Sequence, residues 1–180
     1  MKKYSTILIF GVCCATAFAA AKPGFERITS AEYTQKLHDG MHAYNRHDYA
    51  RAFPLLKRAA CAGDKTSQAL VGQMFILGQG TPKDDLTGYA WIKTAAEFHF
   101  PDFTRLARKL ERALSPERRT LGSERAQQFL ADYGMRPTQM ACRGESRHGA
   151  HMIDTVVCTP PDAGGPYVWV HRCVEPKSQR

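Results

Sequence analysis

From Ser30 onward the apolar residues recur with helical spacing. Tyr33, Leu37, Met41 and Tyr44 advance by four, four and three residues, one face of a helix that Ser30 can cap and that runs to about Asn45. Asp48 offers its carboxylate to the free amides of a second helix carrying Tyr49, Ala52, Phe53, Leu56, Ala59 and Ala60. Pro54 lies past the first turn of that helix, where its missing amide and ring clash cost up to ~3 kcal/mol, so a kink is expected there. Ala62-Gly63-Asp64 closes the second helix and caps a third, about Lys65 to Leu77. Gly63, Gly78 and Gly80 can take the left-handed conformation that ends helices. Pro82 then prevents continuation, and Asp84 caps a fourth helix from Asp85 to about Phe98. Pro101-Asp102 opens a fifth, with Phe103, Leu106, Leu110 and Ala113 on one side. Ser115-Pro116-Glu117 starts a sixth, which ends near Tyr133 with Gly134 as its stop and Ala126, Phe129, Leu130 and Tyr133 as its apolar stripe.

The helical stretch repeats itself. Leu56-Lys57-x-Ala59-Ala60 recurs as Ile92-Lys93-x-Ala95-Ala96, with Phe53 matched by Tyr89, each pair 36 residues apart. A fixed period of that size is the mark of stacked helical units. Between the copies run Leu77-Gly78, Gly78-x-Gly80 and Pro82-Lys83-Asp84, followed by Tyr89-Ala90-Trp91. In that order these marks resemble the Sel-one-like repeat, a helix-turn-helix repeat related to the tetratricopeptide family, over roughly residues 40 to 110. The resemblance implies an α/α solenoid of about three helical hairpins and a general role in binding other proteins. The outer helices depart from the repeat pattern, as terminal caps should.

After Arg136 the character changes to prolines, glycines and cysteines. Met152 to Val157 and Tyr167 to Val174 are rich in strand-favouring residues, and they predict a β-hairpin around the loop Thr159 to Pro166. The expected organisation is therefore a leader over residues 1–21, an all-α solenoid over 22–134 and a small cysteine-containing β appendage over 135–180.

The leader is read from Lys2 and Lys3, the apolar run Ile7 to Ala21 and the small-x-small end Ala17-Phe18-Ala19, the parts of a secretory signal peptide. The run is too short and too small-residued for a good membrane span. Cys13 and Cys14 raise the alternative of a lipid anchor, but Val12 and Cys13 fit poorly as the residue before a modified cysteine. Removing residues 1–21 leaves about 159 of the 180 residues, and the net charge falls from +8 to about +6. A periplasmic or secreted protein of that charge can associate loosely with anionic envelope components.

Export also decides how the cysteines are read. Cys61, Cys142, Cys158 and Cys173 are an even number in an oxidising compartment, which favours two disulfides, and three pairings are open. If all four are paired, one tail cysteine must reach back to Cys61 and tie the tail to the helices.

Other chemistry finds little support. His148, His151, Cys158, His171 and Cys173 are zinc-ligand types, but His148-x-x-His151 and His171-x-Cys173 match no common structural spacing, so a metal-binding or hydrolytic tail is the weaker reading. There is no Gly-x-Ser-x-Gly elbow and no Ser-x-x-Lys in the mature chain, no Cys-x-x-Cys for haem or thiol exchange, and no glycine-rich strand-to-helix loop for nucleotide phosphate. No cofactor is expected. Arg105, Arg108, Lys109, Arg112, Arg118, Arg119 and Arg125 form the densest basic run; export argues against nucleic acid, and the run is read as a solvated face. His38 and His42 lie four apart and could share a ligand, but with His47 they are read as ordinary surface or half-buried histidines. The chain is thus expected to be a non-enzymatic interaction module for an unidentified protein or peptide. If the superhelix follows the family, the first helix of each pair lines the concave face, and Tyr49, Arg51, Lys57, Lys93 and Glu97 are the partner-binding candidates.

Overall fold

A computed structural model describes residues 22–145 and 155–173. Six long helices form where the apolar spacing predicts them: α1 (Ser30–Asn45), α2 (Tyr49–Ala62), α3 (Lys65–Leu77), α4 (Asp85–Ala95), α5 (Pro101–Ala113) and α6 (Pro116–Tyr133). Their starts are set by side-chain caps. Asp48, Asp64 and Ser115 accept the amide protons of Arg51, Ser67 and Arg118, and Asp84 accepts those of Leu86 and Thr87. At α1 the cap is Thr29, which takes the Glu32 amide, while the Ser30 hydroxyl donates instead to the Gly165 carbonyl. α2 runs unbroken through Pro54. Both Pro54 and Ala50, whose carbonyl loses its helical donor, are exposed, so water can satisfy the orphaned oxygen. α4 stops at Ala95 and passes into a 3₁₀ turn, Ala96–Phe98, and a four-residue turn α7 (Met135–Thr138) follows α6.

α1 packs on α2, α2 on α3 and α3 on α4, while α4 carries both α5 and α6. The central core joins Ala52, Leu56 and Ala60 of α2, Val71 and Met74 of α3, Trp91 of α4 and Tyr133 of α6. Trp91 holds α6 through ring contacts at 4.8 Å to Phe129 and 5.0 Å to Tyr133. α3 and α4 touch backbone to backbone at Gly72 and Gly88: a Cβ on Gly72 would lie 2.8 Å from the Gly88 oxygen, and one on Gly88 would lie 2.6 Å from the Gly72 oxygen. α5, by contrast, fully buries only Ala107.

The β part differs from expectation in its pairing. A C-terminal hairpin is present, but it consists of β2 (Ala141–Glu145) and β3 (Thr155–Thr159), with Cys142 directly opposite Cys158. The expected second arm, β4 (Tyr167–His171), pairs instead with β1 (Phe25–Thr29), which precedes the first helix. The connection 160–166 between β3 and β4 carries three prolines and exceeds the roughly two to five residues that close a hairpin. Both strand pairs pack on the helices. Val156, Cys158, Val168 and Val170 share a second core with Ala62 at the end of α2 and Phe100 before α5. The tail therefore seals one edge of the helical layers.

Candidate interaction surface

The five partner-binding candidates fall in different surroundings. Tyr49 and Arg51 lie in the first turn of α2. The Tyr49 hydroxyl is 2.8 Å from His47 Nδ1, and its ring meets Tyr44 edge-on at 5.6 Å; Arg51 is exposed. Lys57 sits beside the tail, its carbonyl 3.7 Å from Cys173 Sγ. Lys93 pairs with Glu111 of α5 at 3.4 Å. Glu97 is engaged internally, accepting from Lys65 Nζ at 3.0 Å and from the Met135 amide at 2.9 Å. No hydrogen bond or ion pair joins any of the five to another among the described residues. The C-terminal half of α2, meanwhile, is partly covered by the β1–β4 ribbon, where Arg58 binds Glu26 at 2.6 Å.

Lys65 is the buried charge that sequence reasoning missed. Its side chain is fully enclosed, and Nζ donates to Gln68 Oε1 at 3.1 Å, the Thr94 carbonyl at 3.4 Å and Glu97. Gln68 in turn donates to the carbonyls of Ala60 and Tyr133. Burial pushes the Lys65 ammonium below its usual range, against the opposing pull of Glu97. This network ties α2, α3, α4 and the end of α6 together. A lysine just after a cap is ordinarily a surface residue, and nothing local in the sequence signals otherwise.

Apart from half-buried Arg125, the basic run is exposed, as expected of a solvated face, and part of it lines a groove. Arg105, Arg108 and Arg112 on α5, with His99 before it and Arg119 on α6, line an open groove of about 750 Å³. Arg119 donates to the Glu111 and Leu114 carbonyls at 3.2 and 3.4 Å, which fixes its guanidinium at the end of α5. The spacing 105, 108, 112 is a helical row, and that periodicity was the available signal.

The tail cysteines are consumed by disulfides. Cys61 pairs with Cys173, joining α2 to the segment after β4, and Cys142 pairs with Cys158 across the hairpin. Neither Cys158 nor Cys173 is then a free thiolate for a metal. His171 is half-buried between Phe25 and Tyr133, at ring distances of 5.2 and 6.0 Å, and burial lowers its pKa below the ordinary histidine value. His148 and His151 lie outside the described residues, as do residues 1–21. Among the described residues no helix is long and apolar enough to cross a membrane.

No protein-family model matches the chain, and no curated protein does. A solved structure is similar: a protective antigen present in uropathogenic Escherichia coli strains, displaying an SLR (Sel-one-like repeat) fold, with 20% sequence identity and a TM-score of 0.52. The chain has the SLR fold. The match covers 66% of this chain but 27% of the antigen, so the chain spans about a quarter of that protein's length.

Proposed function

We propose that the protein is an exported, non-enzymatic binding module that holds a partner protein or peptide on the exposed faces of its stacked helices. The observation that carries the reading is the SLR fold itself, whose paired helices leave long side-chain-bearing surfaces outside a shared core. Buried polar groups favour scaffold over catalyst. Asp64 is spent on a helix cap, Lys65 on an internal tie and Thr94 on a helix carbonyl. Two disulfides fit an oxidising compartment, and the basic start and apolar run of residues 2–21 fit a cleaved leader.

The test is a cross-linked pull-down of the mature protein from its own cell envelope at low and high salt, with mass-spectrometric identification. One partner retained at high salt is expected, since shape and apolar contact survive screening. Heterogeneous binding that salt abolishes would leave charge as the sole attraction and refute a specific face.

A further inference from the structure

We infer that the groove along α5 docks an extended acidic segment of the partner protein, whose successive carboxylates pair with Arg105, Arg108 and Arg112. This deepens the protein-binding reading and rests on it. Among the described residues Arg108, Arg112 and Arg119 have no carboxylate partner, whereas nine lysine or arginine ion pairs form, Arg105 with Asp102 among them. Arg112 Nε reaches only the Arg108 carbonyl, at 3.3 Å. The one carboxylate lining the groove, Glu111, is neutralised from behind by Lys93. The groove therefore presents Arg108, Arg112 and Arg119 with no carboxylate partner among the described residues, beside Arg105, which Asp102 already holds from one side.

Geometry selects the shape of the occupant. The three α5 arginines stand about one turn apart, with helix rises of about 4.5 Å and about 6 Å between them. A compact anion meets one or two such guanidinia, whereas an extended strand offers same-side residues every ~6.7 Å and can engage the row. Arginine's planar fork suits carboxylates in two-bond pairs. The lining holds no Phe, Tyr or Trp, so single-stranded nucleic acid finds no stacking platform. Nor does it hold a large apolar side chain for insertion into lipid: Pro101 is the apolar residue in the lining, and the exposed large hydrophobics, Leu77, Leu121 and Tyr167, lie outside it.

The test uses fluorescence anisotropy of the full mature protein with a labelled alternating Glu-Ala peptide and its Gln-Ala counterpart, at about 0.15 M salt. Arg108→Glu with Arg112→Glu alters two exposed side chains; Arg108→Gln with Arg112→Gln is the milder pair should the first fail to fold by circular dichroism. We expect the Glu peptide to bind, the Gln peptide not to, and either double variant to weaken binding about tenfold or more. Equal binding of the Gln peptide, or no effect of the variants, would overturn the inference. So would competition by equimolar inorganic phosphate, or preferential binding to phosphatidylglycerol vesicles. A double variant that loses the peptide yet captures the same envelope partner would overturn the groove and leave the module standing. A wild-type protein that captures no partner would instead sink the module.

Discussion

Lys65 places an enclosed positive charge where four elements meet, so its removal should cost more than a surface change. Lys65→Met keeps the apolar stem but leaves Glu97 with only the Met135 amide. Removing one member of a buried pair costs about 3–5 kcal/mol, and because the Glu97 side chain is 31% exposed we expect about 2–3 kcal/mol in urea unfolding. A loss below about 0.5 kcal/mol would mean that the network ties nothing together. His171 gives a pH dependence. Its folded-state pKa is lowered, first by burial and against weaker pulls from the Arg172 and Cys61 backbones and Asp132, so the unfolded chain takes up the proton first as pH falls. Stability from this group is therefore full above the ordinary histidine range and is lost below about pH 6.5. His171→Phe, which keeps the ring between Phe25 and Tyr133, should show a smaller fall in melting temperature from about pH 7.5 to about pH 5.5 than the wild type. Equal falls would remove His171 from the account.

Helix contacts depend on a few small residues. Gly72→Ala inserts a methyl group 2.5 Å from Ile92 Cγ1 and 2.8 Å from the Gly88 oxygen, so α3 and α4 must separate. The better helix propensity of alanine, about 1 kcal/mol, runs the other way. We expect a net loss of about 1–3 kcal/mol with retained helicity; a stabilised variant would contradict the close crossing. The alanines at 59, 60, 95 and 96 were legible as packing residues, and all but Ala96 are buried; the glycine crossing was not, because an isolated helical glycine carries no partner information. Helix starts were legible because caps are local: Asp48, Asp64, Asp84 and Ser115 each act within three residues. Strand pairing was not. β1 alternates poorly, with Ile28 half-buried and Arg27 exposed on the Tyr167 ring at 4.6 Å, and its partner lies at the other end of the chain. Glu97 seemed a surface residue for the same reason that Lys65 did. Lys65 is enclosed by Thr94 and Glu97, about 30 residues further along the chain, and Glu97 is held in turn by the Met135 amide of α7.

The two cores are joined through the chain ends, and the disulfides make that joining covalent. Cys61–Cys173 closes a separation of 112 residues and Cys142–Cys158 one of 16. Loop entropy assigns them about 5 and about 3 kcal/mol, so Cys61→Ser with Cys173→Ser should lose more stability than Cys142→Ser with Cys158→Ser. The reverse order would show that the tail is docked mainly by its apolar core. Reduction of the native mature protein should add about four mass units, two hydrogens per disulfide. The SLR fold, the disulfide-sealed edge and the basic groove are the features on which the proposed binding role rests. The most direct measurement is site-specific photo-cross-linking in living cells, with the photoreactive residue placed at Arg51 on α2 and, separately, at Lys93 on α4. The account predicts a discrete adduct with one and the same protein from both positions. No discrete protein adduct from either would contradict it.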